Sequence, residues 1–427
     1  MRSITFASAT MLLCSAMLSG PATAATHLVS LSVWGTQGTG VSGHPALGAS
    51  WGFITFSSTA SDLFIGDTNR AEDCFFRDST TGQLEVLSVS TAGVLGNAKS
   101  LKPVPSVNSL FVTYQSAASN LVDGDTNGKL DVFVRDRVNL TTRRVSVATG
   151  GGQANGDSTY PQISPDGRYV VFASVASNLA PTDSNALSDI FRHDLLTGVT
   201  EHVSIGVNGG PANGVSLYPA ISGDGRYIAF QSTASNLVAG DSEGRTDIFL
   251  RDMLTGVTER ISVASDGSPA ERNSGYPDLS DDGRYVIFIS MARNLSVGDT
   301  NNYNDLFVRD RATGVTTRLT QGIAGAPING SAISPEISGN GQVVVFGSNA
   351  SNLVPGDTNG VADVFTVQLA TGAIRRMSVS HDGLQHGAER SFQQHISQDG
   401  LFVVFSTASG NLDLGDGNGR QDVFLAY

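Results

Sequence analysis

The chain is poor in the features that would place it in most functional classes. It has 427 residues and only two cysteines, Cys14 and Cys74. Cys14 falls in an N-terminal apolar stretch, so a processed chain keeps one thiol and no internal disulfide can staple it. Charged residues make up only 15% of the chain, with 26 Lys and Arg against 39 Asp and Glu, a formal net charge of −13. Such an acidic balance repels nucleic acid and anionic lipid at long range and favours cations, basic partners or neutral glycans. Past the N-terminus no segment approaches the roughly 18 to 20 apolar residues that span a bilayer. A zinc-binding His-Glu-x-x-His helix and a Walker phosphate loop are missing as well.

What the chain does have begins with Met1 and Arg2, an apolar stretch through Leu18, and then Gly20, Pro21 and "ATAA". The small-x-small pattern there is the kind that signal peptidase cuts, so residues 1 to 24 are expected to be an export signal and residues 25 to 427 the mature protein. A periplasmic or extracellular monomer is expected. The 49 glycines call for many tight turns and leave little room for long helices, which points to an all-β fold.

One aspartate sets the period of the rest. It recurs at Asp67, Asp125, Asp183, Asp241, Asp299 and Asp357 with a spacing of 58, and at Asp416 after 59. Seven units therefore fill the mature chain, as in a solenoid or a propeller. Within residues 158 to 205 four short strands can be placed: "PQIS", a turn at "PDG", "RYVVFAS", then "DIFRHD", a turn at "LTG", and "TEHVSI". Four antiparallel strands per unit make a propeller blade. The last unit stops after its third strand at "DVFLAY", while "THLVSLS" follows the export signal and matches the fourth-strand pattern. The N-terminal strand is thus expected to close the ring in the last blade and leave no open sheet edge. Cys74 aligns with Val132, Ile190, Ile248, Leu306, Val364 and Val423, so it should be core.

The segments "YPQISPDGRYVVFAS", "YPAISGDGRYIAFQS" and "YPDLSDDGRYVIFIS", each followed by "DIF" or "DLF" and a Thr-Gly turn, resemble the TolB-type, WD40-like propeller repeat. The resemblance covers residues 26 to 427 and implies a seven-bladed propeller. It implies little about function, since such repeats serve scaffolds, peptidase domains and polysaccharide lyases alike.

The units exceed the usual 40 to 45 residues in two loops, one between strands two and three and one leading to the next blade. In the second unit the first of these reads Asp123, Gly124, Asp125, Thr126, Asn127, Gly128, Lys129, Leu130, Asp131. It resembles the calcium loops of integrin-type propeller repeats, and the logic is physical: Ca²⁺ takes six to eight oxygens, and alternate residues of a tight loop point inward. Asp123, Asp125, Asn127, Asp131 and the Lys129 carbonyl are the expected ligands. Weaker copies stand at Asp357, Asn359 and Asp363, and at Asp416, Asn418 and Asp422. The Asn of "SNL", as at Asn120 and Asn352, is expected only to pin the loop.

Candidates for catalysis are His44, His386 and His395, which depart from the repeat in the loops before the first strands of the first and last units. With Glu389 and Arg390 they are expected at the channel mouth. Tyr160, Tyr218 and Tyr276, each before a proline, offer a stacking surface or channel packing. The uniformity of the units favours a binding protein for a protein or glycan ligand on the loop face. The competing expectation is a secreted polysaccharide lyase or hydrolase.

Overall fold

The computed structural model describes residues 26 to 427 apart from 50, 243, 381, 382, 386 and 388. The expected export signal and His386 lie outside the described residues. Seven four-stranded antiparallel sheets form a closed propeller. Blade 3 shows the plan: Ser158–Ile163, Tyr169–Ser174, Asp189–Asp194 and Thr200–His202, hydrogen-bonded in that order. Blade 7 holds Ser391–Ile396, Val403–Thr407 and Asp422–Ala426, and its fourth strand is Thr26–Leu28. Thr26 pairs with Ala426 and Leu28 with Phe424, so the ring closes as expected.

The second and third strands are apolar on both faces because each sheet is sandwiched between two others. In every blade an aromatic on the second strand pairs directly with a Phe on the third, as Phe172 with Phe191 or Phe405 with Phe424. The seven pairs lie 5.5 to 6.1 Å apart between ring centroids. Each ring contributes roughly 1.5–3 kcal/mol by burial. Cys74 is fully buried in a cluster with Tyr114 and Phe133, a core thiol.

The turns between first and second strands repeat a Ser-x-Asp-Gly device in blades 3, 4, 5 and 7. In blade 4, Ser222 Oγ donates to Asp224 Oδ1 at 2.8 Å, and Gly225 takes φ +73°. A Cβ there would come within 2.2 Å of the Tyr169 ring, so only glycine fits.

One irregularity recurs seven times. In each first strand the register slips by a bulge, for example between Thr159 and Gln162. The displaced residue sits in the left-handed region: His44, Lys102, Tyr160, Tyr218, Tyr276, Ser334 and Gln393, with φ between 45° and 54°. For non-glycine residues this costs about 1 kcal/mol or more apiece. Bulges re-aim side chains, and these seven line the central channel.

Candidate functional site

The channel cavity has a volume of about 480 Å³ and is bounded by first strands from all seven blades. Backbone amides at the bulges are met by glutamines: Gln115 Oε1 accepts from Tyr160 N and Gln231 Oε1 from Tyr276 N, both at 3.1 Å. Gln393 Oε1 accepts from His44 N at 3.0 Å. The strained backbone is therefore anchored, and the side chains it projects are free to differ.

They differ in an ordered way. Tyr160, Tyr218 and Tyr276 form an arc over blades 3 to 5, with ring centroids 4.5 and 4.6 Å apart. Lys102 Nζ lies 3.8 Å above the Tyr160 ring, a cation on an aromatic face, and Tyr276 at the other end is 40% exposed. Two residues further along each strand the column reads Ala46, Val104, Gln162, Ala220, Asp278, Glu336 and His395. Three ionisable groups thus stand side by side on blades 5, 6 and 7. The expectation of seven uniform units fails here, because the rim faces a single lumen that no blade shares equally with its neighbours.

Burial governs this wall. It pushes the Asp278 carboxyl up to about 7, although Ile337 N donates to Oδ2 at 2.8 Å. Glu336 is pushed well above the ordinary carboxyl range by burial and then by Asp278. His395 is pulled down to about 4 by burial, so it is neutral. Its Nε2 lies 3.7 Å from Glu336 Oε2, with 24% and 32% of the two side chains open to the lumen. Lys102, the one ammonium among the described lining residues, is pulled down to about 8 by burial. Near neutral pH this wall holds protons that an incoming cation can displace.

The two candidate histidines among the described residues sit in strands rather than in loops. His44 belongs to Ser42–Leu47 and His395 to Ser391–Ile396, because the pairing of the first strands begins earlier than the sequence pattern implied. Both line the channel but engage different partners: His44 Nδ1 meets Ser57 Oγ at 3.1 Å, and His395 Nδ1 accepts from Leu47 N at 3.3 Å. Glu389 and Arg390 precede the strand, exposed, and do not line the cavity.

The acidic loops hold a different arrangement. In blade 2, Asp125 and Asp131 both face Arg144 from the fourth strand, at 2.9 and 3.3 Å. Asn127 Nδ2 and Ser146 Oγ donate to the two oxygens of Asp131 at 2.8 and 2.6 Å. Asn127 Oδ1 accepts from Lys129 N, and Asp123 is exposed. In blade 6, Arg376 lies 3.7 Å from Asp357 and 3.8 Å from Asp363, and Asn359 donates to Asp363 at 3.3 Å. In blade 7, Gln37 Nε2 donates to Asp416 at 2.7 Å and to Asp422 at 2.8 Å, while Asn418 donates to Asp422 at 3.0 Å. These donor sets do not fit calcium well, since the point where the carboxylates converge faces a protein N–H. Among the described residues no three His, Cys, Asp or Glu side chains converge on one point at ligating distance. Asn120 pins its loop as expected, accepting from Asn97 N at 2.9 Å and donating to Leu95 O at 2.9 Å.

No protein-family profile matches the chain, and no curated protein matches it. Solved propellers do. The chain is similar to oligogalacturonate lyase from Vibrio parahaemolyticus (TM-score 0.55, 11% identity, 95% of this chain and 97% of that one). It is equally similar to the β-propeller domain of the Trilobed protease from Pyrococcus furiosus (TM-score 0.55, 10% identity, 91% and 93%). TolB from Acinetobacter baumannii matches at TM-score 0.42 and 16% identity over 83% of this chain and 76% of that one. At such identities the likeness concerns the fold.

Proposed function

We propose that this protein is an exported binding propeller whose central channel receives a positively charged side chain from a protein partner. One observation carries the reading: Asp278 and Glu336 stand together in the lumen beside the open Tyr276, with Asp281 and a neutral histidine as their ionisable neighbours. A lysine or arginine entering the channel gains a carboxylate partner and an aromatic face at once. The net charge of −13 attracts such a partner at long range.

Calorimetry with a lysine-containing tripeptide and its norleucine counterpart tests this. The lysine peptide should bind with release of protons, more tightly at pH 8 than at pH 5, and Asp278→Asn with Glu336→Gln should abolish the preference. Equal binding of both peptides would sink the proposal.

The contact between His395 and Glu336 favours a second reading, an acid–base pair acting on a polysaccharide. A screen on polyuronides with His395→Ala as control decides it. Activity that survives the substitution removes His395 from any such site.

A further inference from the structure

The acidic loops differ in what faces their paired carboxylates. In blades 2, 4 and 6 a guanidinium lies between them: Arg144, Arg260 at 3.4 and 3.6 Å from Asp241 and Asp247, and Arg376. In blade 5, Arg318 approaches Asp299 at 3.6 Å, and in blade 7 the Gln37 amide bridges the pair. The position equivalent to Arg144 in blade 3 is His202, and the position equivalent to Gln37 is Pro211.

His202 does not replace the arginine. Its Nδ1 is taken by Thr182 Oγ1 at 3.0 Å, and its Nε2 by Ser204 Oγ at 3.2 Å and Asp189 Oδ1 at 3.3 Å. Its ring stacks on Phe191 at 5.2 Å. Asn185, whose counterparts donate to the third-strand carboxylate, donates instead to Ala212 O at 3.0 Å. As a result Asp183 Oδ2 and Asp189 Oδ2 are buried without a protein partner, in side chains 5% and 0% exposed. Blade 1 also lacks the arginine, having Val86 there, and Asp67 Oδ1 is likewise without a partner, but Asp67 is partly exposed and Asn69 donates to Asp73 Oδ2 at 2.9 Å.

We infer that blade 3 binds one divalent cation of the calcium or magnesium type between Asp183 and Asp189, in the place that a guanidinium takes in blades 2, 4 and 6. Two buried carboxylates need compensating positive charge, and paired oxygen donors match a hard cation that keeps water on its remaining positions. His202 is no ligand, since both its nitrogens are engaged. This site is independent of the channel and lies in a loop outside the three that the calcium pattern of the sequence selects.

Titration of the metal-free full chain with Ca²⁺ and with Mg²⁺, followed by calorimetry and thermal melting, tests the inference. One cation per chain should bind, and at about 100 times the dissociation constant the melting temperature should rise by a few degrees. His202→Arg supplies the guanidinium of the other blades and should melt at or above the metal-free wild type while taking up no cation. Asp183→Asn removes one of two like charges and should behave the same way. Asp278→Asn should leave uptake unchanged. Absence of uptake by the wild type, undiminished uptake by both blade 3 variants, or loss of uptake in Asp278→Asn would each overturn the assignment.

Discussion

The walls between blades and the rim around the channel obey opposite rules. Between blades, the same aromatic pair recurs seven times in the same register, because each sheet meets two neighbours of its own kind. At the rim the backbone bulge recurs seven times while its side chains run from Lys102 through three tyrosines to Gln393. A ring of identical frames thus carries one asymmetric surface, and the asymmetry is where recognition can be specific.

The comparison can be broken at several points. The largest effect is expected in the walls: Phe230→Ala, which removes the ring stacked on Phe249, should cost about 3–5 kcal/mol in denaturant unfolding. Phe172→Ala and Phe288→Ala should match it closely, and widely different values would show that the blades are not energetically equivalent. Next, Arg144→Leu leaves Asp125 and Asp131 buried without their cation, and about 3 kcal/mol of stability should be lost in the same assay.

At the rim the sign reverses. Asp278 is raised to about 7 in the folded chain from an ordinary value of 3.8, so the folded state holds its proton more tightly than the unfolded chain. The stability this lends is full below pH 4 and is lost as pH rises through 7. Asp278→Asn should therefore stabilise the protein by about 1–2 kcal/mol at pH 8 relative to its effect at pH 4. A pH-independent effect would count against an unpaired carboxyl there. The smallest change is expected on the outside: Arg284→Ala breaks a bidentate pair with Asp310 at 3.0 and 2.8 Å, but the arginine is well exposed and the unfolding midpoint should scarcely move in the same assay.

The blades, their strand order and the ring closure were legible in the sequence because burial on both faces and tight glycine turns leave a strict period. The site was legible only in part. The Asp125, Asn127 and Asp131 spacing reads as a metal loop, yet the charge that answers it comes from Arg144 in another strand, and only the parallel recurrence of Arg260, Arg318 and Arg376 hinted at the pairing. The first-strand column ending in Asp278, Glu336 and His395 was also present in the repeat. Nothing in residue type, however, announces a bulge that turns the position beside it toward the lumen. The same bulge hides the strand positions of His44 and His395, which the residue pattern places in loops.

The seam in blade 7 has a kinetic meaning. Thr26 finds its partner at Ala426, some 400 residues along the chain, so that contact must wait for almost the entire polypeptide and is among the slowest to form. Six blades can assemble as the chain emerges, each from neighbouring segments. The seventh cannot, which makes the three residues from Thr26 to Leu28 the latch that turns an open arc of blades into a ring, and the place where a pull on the N-terminus would undo it.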